Sequence, residues 1–142
     1  MHVSTEYGNS LETFIYTSLR DENPLIRWVI EPAYLTYVKV YGYTLRFQHG
    51  HFVLYHGGIG GLTIPFLKAL NGWDNQRRAD FTFAGHFHQY FMHRRFIVNG
   101  SMIGFNPYAI ALKCEYEPPC QAFFLIDKMR GRTVNIPLLF SK

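Results

Sequence analysis

The sequence predicts an α/β fold in a single domain spanning residues 1–142, and three observations support this. Apolar segments with strand-like alternation recur along the chain, and at least two other segments carry a helical period. No internal repeat, low-complexity tract or linker separates them. At 142 residues the chain can bury a real core, and its apolar content of 48% excludes intrinsic disorder. Thirteen Phe and ten Tyr favour strands around a bulky interior.

The elements follow in chain order. "GNSLETFIYTSLRDENP" predicts a helix, with Asn9 as N-cap and Glu12 completing a capping box. Leu11, Phe14, Ile15 and Leu19 share one face, and Pro24 closes the helix. "IRWVI", Ile26–Ile30, predicts a short strand. "LTYVKVYGYTLRFQHG" predicts two strands about a turn at Tyr41–Gly42, the second running straight into His49. "GGIGGLTIPFLKALNGW" is a glycine-rich loop entering a short helix with Pro65 in its first turn. "ADFTFAG" is a strand delivering His86, and "RRFIVNGS" is another that ends at a turn. "QAFFLIDKMRGRTVNIPLLF" closes the chain as a hairpin about Met129–Gly131.

Several function classes fall away. A net charge of +4 tolerates nucleic acid or other phosphate ligands without pointing to them. No apolar run approaches the ~18 residues of a membrane span. "MHVSTEYGNS" has neither the basic nor the apolar region of a signal peptide, so a cytoplasmic location is expected. Cys114 and Cys120 make no disulfide framework and are expected as free thiols.

Five of the seven histidines fall in two windows, "RFQHGHFVLYHGG" with His49, His51 and His56, and "TFAGHFHQY" with His86 and His88. Residues at i and i+2 of an extended segment face the same way, with Cβ atoms ~6.5–7 Å apart. That separation is wide for chelating one ion and suits a pair of ions ~3.5–4 Å apart, each taking one imidazole. Gly85 is the expected site of a sharp backbone turn. Both windows follow apolar strands, at the ends where α/β sheets place ligands. A cupin barrel also uses a His-x-His pair but needs a nearby Glu, and the next acid after His88 is Glu115.

The remaining features have plainer explanations. "GGIGG" before a helix resembles a phosphate cradle, but its spacing matches no P-loop and it is expected as a flexible loop. Arg77–Arg78 and Arg94–Arg95 are expected as solvated charge, and "FHQYF" and "QAFFL" as core packing. His56 and His93 match no motif.

The ordered set "HGH" (His49–His51), "GHFH" (Gly85–His88) and "NGS" (Asn99–Ser101) resembles the C-terminal half of calcineurin-like metallophosphoesterases. The flanking "GGIGGLTIP", "FNPYA" and "EPPCQAFFLID" look most like versions found in bacteriophage genomes. The resemblance implies the second half of a β-sandwich of mixed sheets flanked by helices, with a two-metal site at the strand ends. It implies a hydrolase that uses manganese, iron or zinc to cleave phosphoesters, with phosphodiesters and nucleic acids among the substrates. By residue, it implies that His49 and His86 bind one metal and His88 the other. His51 and Asn99 would lie near the site without a firm ligand role.

The departures from that pattern are large. The family's first half supplies Asp-x-His, Gly-Asp and Gly-Asn-His, which hold most of the first metal, bridge the two ions and protonate the leaving group. None of these is in the 142 residues. No Asp has His two places on, no Gly-Asp pair occurs, and "GNS" at Gly8–Ser10 lacks the histidine. Three neutral histidines cannot offset two dications, so at most one weakly held metal is expected. A bent loop would let His49, His86 and His88 imitate a three-histidine zinc site. The expectation is an incomplete phosphoesterase, completed by an N-terminal half or associated with further copies of itself. Half a sandwich would leave an apolar face or a strand edge uncovered. The alternatives are a non-catalytic accessory relic of the fold and, more weakly, a basic nucleic-acid-binding module.

Overall fold

The architecture was established from a computed structural model, which describes residues 11–28, 33–55, 57–111 and 114–140. The chain divides into two compact units, Met1–Thr36 and Tyr37–Lys142.

The first unit holds helix α1, Leu11–Glu22. The helix stops where Asn23 turns back on it. The Asn23 side chain donates to the Leu19 carbonyl at 2.8 Å, satisfying an acceptor that the helix end leaves open. Pro24 then prevents continuation. The expected strand at Ile26–Ile30 is not found over Ile26–Trp28. There the Ile26 amide is taken by the Asn23 carbonyl in a turn, and Leu25 is fully exposed. Val29 and Ile30 lie outside the described residues, as does the expected Asn9 cap.

The second unit contains two sheets and a helix between its early strands. Strands β1 (Thr36–Val40) and β2 (Tyr43–Gln48) are neighbours joined at Tyr41–Gly42. Both turn residues have positive φ, 51° and 93°, the combination a two-residue hairpin requires. Helix α2 (Thr63–Asp74) follows the glycine loop and leads to β3 (Phe81–Ala84). A strand not expected from the sequence, β4 (Phe91–Met92), pairs antiparallel with β5 (Phe96–Val98). Two residues are too few for a period-two signal. After the short helix α3 (Pro107–Ala111), β6 (Cys120–Asp127) and β7 (Gly131–Leu139) form the expected closing hairpin.

The larger sheet has the order β1-β2-β3-β5-β4, with β2, β3 and β5 mutually parallel. Its alternating residues separate into two cores. Ala84, Phe96 and Val98 face α2, where Phe66 and Leu70 are buried one turn apart and Phe66 stacks on Phe96 at 4.6 Å. Leu45, Phe83 and Ile97 face the β6–β7 hairpin and pack with Ala122, Phe124 and Ile126. The unit is therefore layered as helix, five-stranded mixed sheet and two-stranded sheet.

One charged group sits inside this packing. Arg46 on β2 is completely buried, donating to Asp74 and to the Arg77 carbonyl, both at 2.6 Å, and to Tyr37 and Thr82. Arg95 grips the other oxygen of Asp74 at 2.5 Å. A buried guanidinium is tolerable when its donors are taken up in this way.

Candidate functional site

Because β2 and β3 are adjacent and parallel, with Gln48 opposite Ala84, the residues that follow them leave the sheet at the same end. His49 follows β2, and Gly85–His86 follow β3. The Gly85 amide donates to the His49 carbonyl at 2.8 Å, which carries the ladder one step past both strands. His49 Nε2 consequently lies 3.0 Å from His86 Nδ1. The His51 ring joins them, with centroids 5.5 Å from His49 and 6.4 Å from His86.

Gly50 makes this approach possible. Its φ is 118°, and a Cβ there would stand 2.9 Å from the Gly85 carbonyl oxygen and 3.0 Å from the Cβ of His86. A side chain at position 50 would wedge the two histidine segments apart.

The "GHFH" segment is not extended. His86 and His88 have φ of 72° and 53°, so the chain curls through the left-handed region. The expectation that both rings share the face of an extended strand therefore fails in its premise. Gly85 is also not the residue that supplies the turn, since the histidines themselves take the positive φ. Such conformations cost non-glycine residues about 1–3 kcal/mol each and are characteristic of functional sites. The structure thus gathers His49, His51 and His86 and turns His88 elsewhere. The His88 ring lies 6.0 Å from Tyr108 and lines a small cleft with Cys114, Glu115 and Glu117. Its Nδ1 is buried with no hydrogen-bond partner among the described residues.

Asn99 is engaged in joining the two sheets. Its amide N–H donates to Gln121 at 2.8 Å, and its oxygen accepts the Ala122 N–H at 2.6 Å. The next residue, Gly100, packs so closely on Cys120 that a Cβ would overlap the sulfur. Both cysteines are free thiols. Burial, reinforced by the neighbouring Glu117 carboxylate, pushes the Cys120 thiol above its usual range. Glu117 also receives the Tyr90 amide on both carboxylate oxygens, at 2.7 and 2.8 Å, and so anchors the chain just after "GHFH". Nothing in the local sequence signals this role, because the contact spans 27 residues.

The facing nitrogens of His49 and His86 suit a shared cation. With bonds of ~2.0–2.1 Å, nitrogens 3.0 Å apart subtend about 90–95° at an ion between them. Two imidazoles do not complete a site, however. No group of three or more His, Cys, Asp or Glu side chains placed to hold a metal occurs among the described residues.

No family model and no curated protein matches the chain. Solved structures do. A single-substitution variant of Vps29 from Entamoeba histolytica matches with a TM-score of 0.51, at 17% identity over 82% of this chain and 66% of that one. A double-substitution variant of the same protein matches at 0.50, with 16% identity over 94% and 79%. The fold is that of Vps29. Wild-type Vps29 from the same organism, complexed with zinc, gives a TM-score of 0.49 at 16% identity over 72% of this chain. The chain spans 66% and 55% of the first two of these neighbours to be matched, the single variant and the zinc complex. At these identities the likeness is one of fold.

Proposed function

We propose that this chain carries the C-terminal part of a metal-dependent phosphoesterase site, in which His49 and His86 hold one divalent cation and His88 belongs to a second position. The observation that carries the reading is the 3.0 Å approach of His49 Nε2 to His86 Nδ1 across adjacent parallel strands. The strained backbone at His86 and His88, and the buried His88 Nδ1 with no hydrogen-bond partner among the described residues, support it. Manganese, iron or zinc would supply Lewis-acid activation of a phosphoester, with phosphodiesters, including nucleic acid, as the favoured class. The chain's own part is to present imidazole nitrogens at the sheet end and to hold them there through the Gly85–His49 hydrogen bond. The carboxylates that this reading calls for would come from outside the described residues, and a complementing polypeptide is their proposed source.

The test is hydrolysis of bis(p-nitrophenyl) phosphate with manganese, by the chain alone and after adding a polypeptide that bears Asp-x-His, Gly-Asp and Gly-Asn-His segments. Turnover in the mixture that is lost on His86→Ala supports the reading. No turnover in any mixture would leave a non-catalytic member of the fold. No helix among the described residues is long and apolar enough to cross a membrane.

A further inference from the structure

We infer that the histidine end of the larger sheet docks on a lipid surface and takes a lipid phosphoester as its substrate. The choice of substrate rests on the phosphoesterase reading above, which it narrows. The docking surface stands on separate observations.

Charge is segregated along the strands. Because β2, β3 and β5 are parallel, the segments that follow them all leave at the histidine end. Residues 47–67, 81–93 and 96–112, which include those segments, hold no Asp, Glu, Lys or Arg, in a chain with 14 basic and 10 acidic residues. The opposite end is cationic. Arg77 and Arg78 precede β3, and Arg94 and Arg95 precede β5. Lys128 and Arg130, in the β6–β7 turn, belong to that end too. Strand β6 starts at the histidine end, where the Cys120 amide donates to the Ser101 carbonyl, and past the turn Gly131 packs on Tyr43 and Phe81, the first residues of β2 and β3.

Large apolar side chains stand out at the uncharged end. The loop from the end of β2 to the start of α2 raises Phe52, Leu54 and Ile59, with Leu54 77% exposed and Ile59 completely so. This loop stands clear of the body, since a Cβ at Gly57, Gly58 or Gly61 would meet nothing within 4 Å. The segment after β5 raises Met102 and Ile103, 66% and 68% exposed, and leads to the exposed Tyr108 of α3. Both apolar rims reach the histidines. The Phe52 ring centroid lies 3.9 Å from that of His51, and the Tyr108 ring 6.0 Å from that of His88.

These features select the occupant. A nucleic acid is held through its phosphates by Lys and Arg, and the three segments supply neither. Past residue 112 come Lys113, outside the described residues, and then Glu115 and Glu117, which line the His88 cleft and would repel a polyanion. A protein partner binds through close packing of matched surfaces. Aliphatic side chains raised on separate loops, as Ile59 and Ile103 are, present no such surface, whereas fluid hydrocarbon takes them without any match of shape. The aromatic rings beside the histidines suit the headgroup level. A contact of this kind needs no spanning segment. Hydrolysis there forms one P–O bond from water and breaks one ester P–O bond, and the leaving alcohol takes up the proton that water gives.

The probe is a phosphatidylcholine vesicle, with co-sedimentation of the chain read at low and high salt. The chain should bind, and raising sodium chloride about tenfold should not release it. Ile59→Asp combined with Ile103→Asp should weaken binding at least about tenfold, with near-native circular dichroism showing that the variant folds. Ile136→Asp, at an exposed apolar position of the β6–β7 hairpin, should bind as the parent does. Absence of binding overturns the docking surface, and so does binding lost on Ile136→Asp. Binding that needs phosphatidylserine and fades with salt also overturns it, because such binding belongs to the arginine end. A dimer in light scattering that dissociates on Ile59→Asp, without vesicle binding, overturns it in favour of a second copy. The substrate is tested with manganese and the complementing polypeptide, comparing phosphatidylcholine with bis(p-nitrophenyl) phosphate. Cleavage of the second alone by a vesicle-bound chain overturns the lipid substrate. Cleavage of neither removes the phosphoesterase reading and keeps the docking surface.

Discussion

His49 Nε2 and His86 Nδ1 lie 3.0 Å apart although 37 residues separate them in sequence. The pair is a product of topology, since parallel β2 and β3 end in register and the Gly85–His49 hydrogen bond fixes the first residue beyond each strand. At that spacing the two rings either share a proton or share a cation. The proposed site uses the second arrangement.

The pairing depends on Gly50. Gly50→Ala puts a Cβ against the Gly85 carbonyl and the His86 Cβ, in a backbone conformation that only glycine adopts readily. The substitution should cost about 1–3 kcal/mol in urea unfolding and weaken zinc binding. Loss of stability with zinc affinity unchanged would show that the histidines are not held for metal.

Asp74 receives two guanidinium groups, the fully buried Arg46 and the more exposed Arg95. Removing the shared anion leaves Arg46 buried without its charge partner. Asp74→Asn should therefore destabilise by about 3 kcal/mol, the lower part of the range for breaking a buried pair, because Asp74 is itself partly exposed. Arg46→Met should cost less, since Asp74 keeps Arg95. Paired chemical denaturation of the two variants checks the order, and equal losses would contradict it.

Gly100 and Cys120 form a size-matched contact between the "NGS" turn and β6. Gly100→Ala should destabilise by about 1–3 kcal/mol through overpacking. Adding Cys120→Ala, which removes the sulfur, should recover part of the loss. A double variant no better than the single one would place the strain elsewhere.

His93 supplies the pH dependence. Burial first, then the nearby Arg95 and Arg132 cations, hold its pKa below the usual 6.5, and its Nδ1 accepts the Arg95 amide at 3.2 Å, which needs the neutral ring. The unfolded chain binds this proton more readily than the folded one. Stability from this group is therefore complete above pH ~6.5 and falls as pH drops from there toward the lowered folded value. His93→Gln should flatten the unfolding midpoint between pH 7 and 5. An unchanged slope would remove His93 from the balance.

Much of the fold was legible in the sequence because period-two alternation and glycine or proline punctuation are local signals. β2, β3, the helix after "GGIGG" and the closing hairpin all follow from them. The failures are also local in origin. "IRWVI" has strand propensity, but at Ile26–Trp28 the turn after Pro24 takes its hydrogen bonding, and β4 is too short to show a period. The two histidine windows were legible by composition, while their geometry was not. A strand-like reading of "GHFH" cannot anticipate two residues in the left-handed region. Arg46 meets Asp74, Glu117 meets Tyr90 and the side-chain amide of Asn99 meets Gln121 and Ala122 across 22 to 28 residues, and no spacing rule reaches that far.

The most direct test is the zinc content of the chain at equilibrium, compared with His49→Ala, His86→Ala and a His93→Ala control. The account predicts up to one zinc per chain, lost in both site variants and retained in the control. Zinc retained undiminished by either the His49→Ala or the His86→Ala chain would contradict it.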